Sequence, residues 1–198
     1  MIGMITPLVK EANYSTRRFI ALGGFSIGCL LGAVSVGLLM TFPSWFLQAH
    51  LPQAAATALL ALIGLFLASC DLGIGGARTP SLKRQTCSYW PRLFGEKPAW
   101  VLWGFDLGLG VSTIRVTSLY WMILAMVLLV IPASMAPVIL GTYGISVALT
   151  LALATSLVQV SHTDNQLGLR TLAKAPLIRN ASGVSLAILS SFLILLQL

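Results

Sequence analysis

Charge is what this sequence has least of. Charged residues make up 9% of its 198 residues, and only five of them are Asp or Glu. Soluble globular domains carry about 25% charged residues. With 57% hydrophobic residues and a mean hydropathy of +0.92, the chain has too few polar groups to cover a surface facing water. The class is integral membrane. No soluble stretch is long enough to bury its own core, so residues 1–198 read as a single membrane domain. Cysteine and histidine are scarce too. Cys29, Cys70 and Cys87 form no Cys-x-x-Cys, and His50 and His162 are isolated, so the pattern indicates no metal and no cofactor. Neither histidine lies within an apolar run, which removes the usual base of an intramembrane hydrolase. The chain is not read as an enzyme.

Eleven of the twelve Lys and Arg fall in clusters: Lys10, Arg17 and Arg18, then Arg78, Lys83, Arg84, Arg92 and Lys97, and finally Arg170, Lys174 and Arg179, with Arg115 alone. Basic clusters flanking apolar spans are the positive-inside signature, and near a lipid surface they attract anionic headgroups. The expected partner is therefore a bilayer with anionic headgroups, not nucleic acid. A transmembrane helix needs roughly 20 apolar residues. The runs at 19–40, 54–73, 98–115, 117–137, 141–161 and 182–198 fit spans, with 82–96 lying in the headgroup region. The expected fold is all-α, a polytopic transmembrane bundle of five to six spans. The first run is longer than a signal-peptide core and suits a signal anchor, with the N-terminus on the cytoplasmic side of a bacterial inner membrane. If 98–137 crosses twice, Arg115 and the last basic loop fall outside. If 98–115 instead re-enters, every basic cluster stays cytoplasmic. Gly104, Gly108 and Gly110, each lowering helix propensity by roughly 1 kcal/mol relative to Ala, suit the second layout. Both layouts stay open.

Asp106 and Arg115 are the sole charges between Pro98 and Pro137. Their surroundings have a partner elsewhere: CDLGIGGARTPSL at 70–82 and FDLGLGVSTIRVTSL at 105–119 share Asp-Leu-Gly-x-Gly followed by Arg, Thr and Ser-Leu. Internal similarity of this kind is how many transporter folds announce two related units. An ionised Asp near the bilayer centre costs around 2.5–3.5 kcal/mol, so it should be paired, protonated or hydrated. One reading is that Asp71, Arg78, Asp106 and Arg115, with Ser112 and Thr113, line a pathway for a small solute or a proton. The other is that Asp71 caps the end of its own helix while Asp106 and Arg115 form a buried pair that fixes packing. Gly24, Gly28 and Gly32, at i, i+4 and i+8, mark a small-residue face suited to close helix packing.

GFSIGC at 24–29 and GFDLGLG at 104–110, with the chain's size and number of apolar runs, resemble the small six-helix membrane proteins of the DsbD/CcdA type and the wider LysE-like exporters. That resemblance implies either carriage of reducing equivalents by two intramembrane cysteines, here Cys29 and Cys70, or export of a small solute. In the redox carriers the paired cysteines sit beside prolines. Cys29 has no adjoining proline, and the matching place in the second unit is Leu109, so no cysteine is carried over as catalytic. A third expectation is an accessory subunit that packs against other membrane proteins in a larger complex.

Overall fold

The computed structural model describes residues 15–74, 89–110, 117–159 and 175–195. All regular elements among them are helical. Seven α-helices run α1 (Ser15–His50), α2 (Gln53–Leu72), α3 (Trp90–Phe94), α4 (Glu96–Leu109), α5 (Leu119–Leu129), α6 (Ala136–Gln159) and α7 (Ala175–Leu195), with a 3-10 turn at Ala133–Met135. Among the described residues four stretches are long and apolar enough to cross a membrane: Phe19–His50, Gln53–Leu72, Ala133–Leu153 and Pro176–Leu195. The chain is an all-α membrane protein.

Several boundaries differ from the sequence reading, each for a physical reason. The run expected to stop near Met40 continues as helix through Pro43 to His50. Proline removes one backbone bond from a helix interior, but Ser44 and Gln48 in the following turn bond to a neighbouring helix and hold this one in place. In the run 98–115 the helix from Glu96 ends at Leu109, where Gly110 adopts a left-handed φ of 71°, and 111–115 lie outside the described residues. Of 117–137, only the 11 residues Leu119–Leu129 form α5, and Pro132 lies between it and the 3-10 turn. At 1.5 Å per residue, α4 and α5 are about 21 and 16 Å long, well short of a hydrocarbon core of about 30 Å.

The chain divides into two compact units. The first comprises 1–36, 82–114 and 140–173. Its core gathers Phe25 and Cys29 of α1, Trp100, Trp103 and Leu107 of α4, and Ala148 of α6. Helices α1 and α4 approach at backbone distance through reciprocal glycines. A Cβ on Gly28 or Gly32 would overlap the carbonyl oxygen of Val101 or Phe105, and one on Gly104 or Gly108 would overlap that of Phe25 or Cys29. Gly144 of α6 closes on Cys29 from a third helix. Gly104 and Gly108 are thus part of a packed helix, although their low propensity pointed to a broken one. The close approach of two backbones, characteristic of small-xxx-small pairs, offsets that propensity cost.

The second unit comprises 37–81, 115–139 and 174–198. Here α2 and α7 pack on each other, with α5 against α2. Leu60, Leu67, Met122, Ala125, Leu129 and Leu186 form the core. Helix ends leave orphan backbone groups, and in lipid these must be satisfied from within the protein. At the C-terminal end of α5, α1 supplies the donors. The Ser44 hydroxyl donates to the Val127 carbonyl at 2.7 Å, and the Gln48 amide donates to Ile131 at 2.7 Å and to Ser44 Oγ at 2.9 Å. Gln48→Leu should therefore lower stability by about 1–3 kcal/mol, the usual cost of a buried polar group left unpaired. Thermal unfolding in detergent micelles measures it.

Candidate functional site

The other end of α5 holds the site. Ser118 precedes the apolar run Leu119–Leu129 and starts its helix, with Met122 N–H donating to the Ser118 carbonyl at 3.2 Å. A serine in that place ordinarily folds its hydroxyl back onto its own helix. Here it does not. Its hydroxyl donates to Asp71 Oδ1 at 2.7 Å, and its backbone N–H donates to both carboxylate oxygens, at 3.1 and 3.0 Å. Ser182 of α7 completes the cluster, donating to Oδ2 at 2.7 Å. Asp71 and Ser118 are fully buried and Ser182 is 5% exposed.

Local sequence explains how three helices converge there. Gly73, with a left-handed φ of 70°, ends α2 just after Leu72 and leaves Asp71 in the last turn. Gly183 fits against Leu72 and the Ala68 carbonyl, so α7 comes close to α2 at that level and delivers Ser182. Asp71 therefore caps a helix other than its own, which corrects the expectation that it caps the end of α2. The reason is electrostatic. A carboxylate is disfavoured at the negative C-terminal end of its own helix and favoured at the positive N-terminal end of another. The result is a half-length helix whose two ends are both closed by side chains from neighbouring helices.

Asp106 lies in the last turn of α4, half-buried, and belongs to the first unit, whereas Asp71 belongs to the second. The two Asp-Leu-Gly stretches also end differently. The left-handed glycine directly follows Leu72 in one, while in the other Gly108 is still helical and Gly110 ends the helix. Arg78, Ser112, Thr113, Arg115 and Cys87 lie outside the described residues. Cys29 and Cys70 are free and buried, one in each unit. Among the described residues no three His, Cys, Asp or Glu come together as a metal group would require. Gly24-Phe25-Ser26-Ile27-Gly28 has the Gly-x-Ser-x-Gly spelling of a nucleophile elbow. That elbow needs a sharp strand-to-helix turn, whereas Ser26 is in mid-helix with its hydroxyl donating to the Leu22 carbonyl at 2.7 Å.

Ser182, Ser44 and Gln48 were not singled out by sequence reasoning. Ser118 carried a signal, a serine immediately before an apolar run. Ser182 carried none, because its partner is 111 residues away. Compared with protein-family models, curated proteins and solved structures, the chain matches none of them.

Proposed function

We propose that this membrane protein moves a proton, alone or coupled to a small solute, with Asp71 as the ionisable centre. One observation carries the reading: a fully buried carboxylate sits at the N-terminus of a helix only 11 residues long, where α2, α5 and α7 meet. Half-length helices whose positive ends face an anionic group are how transporter folds build substrate and ion sites. Ionisable side chains kept within membrane segments are characteristic of ion and proton pathways. The partners suit a change of protonation state. A serine hydroxyl both donates and accepts and rotates to do either. When Oδ2 takes up a proton, the Ser182 hydroxyl can turn from donor to acceptor, while the Ser118 N–H continues to donate. Release of that proton to the other side restores the starting arrangement, so nothing else is consumed.

The basic clusters support a bacterial inner-membrane location with the N-terminus in the cytoplasm. A second reading, an accessory subunit of a larger complex, draws on the lengths of α4 and α5, which leave hydrocarbon thickness for other helices to cover. The thiol-carrier reading has less support, since Cys29 is enclosed by Gly104, Gly108 and Gly144.

The test is proton movement into vesicles reconstituted with the purified protein, read with an enclosed pH-sensitive dye. Wild type is expected to dissipate an imposed gradient, Asp71→Asn to fall to the level of protein-free vesicles, and Ser182→Ala to be slowed with its helical content intact. Full activity in Asp71→Asn, or no proton movement in wild type, overturns the proposal.

A further inference from the structure

The first unit carries a feature unrelated to Asp71. Trp90 and Phe94, at i and i+4 on α3, face Pro98, Val101 and Leu102 of α4 across an open groove of about 630 Å³ lined almost wholly by apolar atoms. Phe94 is 57% exposed, so the groove is not closed by this chain's described residues. Two basic residues adjoin its lining in sequence. Arg92, between Trp90 and Phe94, lies over the Tyr89 ring at 5.8 Å, and Lys97 adjoins Pro98; both are exposed, with Glu96 the one acid between them. Aromatic rings beside Arg and Lys on a short helix suit the boundary between headgroups and acyl chains. In that setting an apolar slot flanked by net positive charge complements a molecule with an anionic head and a hydrocarbon tail.

We infer that the groove binds one acyl chain of an anionic phospholipid from the surrounding bilayer, with its phosphate held by Arg92 and Lys97. The occupant follows from both parts of the site. The apolar lining takes a chain and offers nothing polar to a solute, while the flanking cations select the head. A basic residue close to an anionic membrane surface is worth about five-fold in affinity. With Glu96 offsetting one of the two cations, the expected preference for an anionic over a zwitterionic lipid is about five-fold.

Trp90 supplies the probe. The full-length protein is reconstituted in phosphatidylcholine vesicles containing brominated phosphatidylglycerol, and separately brominated phosphatidylcholine, because bromine quenches tryptophan on contact. Subtracting the emission of Trp90→Phe isolates Trp90 from the other four tryptophans. Quenching should reach half its maximum at about five-fold less phosphatidylglycerol than phosphatidylcholine. The double variant Arg92→Gln/Lys97→Gln should lose that difference while keeping quenching by both. Equal quenching by the two lipids in wild type overturns the inference. So does an unquenched Trp90, which would mean that something other than lipid, such as a segment of this chain, fills the groove. Native mass spectrometry of lipids retained by wild type and by the double variant gives the same comparison without Trp90→Phe. Wild type should keep phosphatidylglycerol through detergent exchange, and equal retention by both proteins contradicts the assignment.

Discussion

Asp71→Leu is expected to destabilise the second unit by about 2–4 kcal/mol, read as a shifted midpoint in unfolding of the micelle-embedded protein. Two effects of opposite sign compete. Removing a polar carboxyl group from an apolar interior relieves a desolvation cost. Against that, among the described residues the Ser118 N–H and the Ser118 and Ser182 hydroxyls lose their acceptor. Each donor left unpaired in a buried site costs about 1–3 kcal/mol. The two hydroxyls can recover part by bonding to carbonyls of their own chain segment. The Ser118 N–H cannot, since it points out of the first turn of α5 where no intrahelical acceptor exists, and the favourable interaction of the carboxylate with the helix end is lost as well. The backbone term decides the sign. Ser182→Ala, which removes one donor and keeps the carboxylate, should cost less than half as much. If Asp71→Leu is neutral or stabilising, the cluster does not hold α5 in place.

The glycines of the α1–α4 crossing give the second large effect, and here too the sign is informative. In a helix with room around it, glycine to alanine stabilises by roughly 0.5–1 kcal/mol. Gly23 meets that condition, with nothing within 4 Å of the place a Cβ would occupy, and Gly23→Ala should gain about that much. At Gly104 and Gly108 the added methyl would enter backbone atoms of Phe25 and Cys29, which no rotamer change can relieve. Overpacking of this kind costs about 1–3 kcal/mol per site, more than the propensity gain. Gly104→Ala and Gly108→Ala should each lower stability by about 1–3 kcal/mol, while Gly23→Ala raises it. Unfolding of the three variants under one set of conditions provides the comparison. A stabilised Gly104→Ala would mean that the backbones do not approach as described.

What could be read from the sequence, and what could not, follows from the range of each interaction. Membrane class needs only composition, and 9% charge settles it. The spacing of Gly24, Gly28 and Gly32 is periodic within one helix, so a packing face is visible without knowing the partner. The role of Gly104 and Gly108 is harder to see, because a glycine that breaks a helix and one that lets another backbone approach are the same letter. Their effect depends on what lies opposite, and Phe25 and Cys29 are more than 70 residues earlier in the chain. The extent of α5 was obscured for a similar reason. Hydropathy is continuous through Leu119–Ile131, and the helix stops where Ser44 and Gln48, some 80 residues away, supply the donors for its last carbonyls. Asp71 stood out as a costly acid in an apolar run, but its partners are 47 and 111 residues away, and serines that distant have no local pattern to mark them.

The claim that Asp71 changes protonation state during turnover has a direct test in infrared difference spectroscopy of the protein in lipid vesicles. The carboxyl and carboxylate bands of wild type are recorded while a transmembrane pH gradient is imposed and then reversed, with Asp71→Asn as the blank. The account predicts a reversible loss and gain of a buried carboxyl band that is present in wild type and missing in the variant, and that shifts in Ser182→Ala because a hydrogen-bond partner is gone. A carboxylate band that stays constant under both gradients would make Asp71 a permanent cap of α5 and contradict its role in moving a proton.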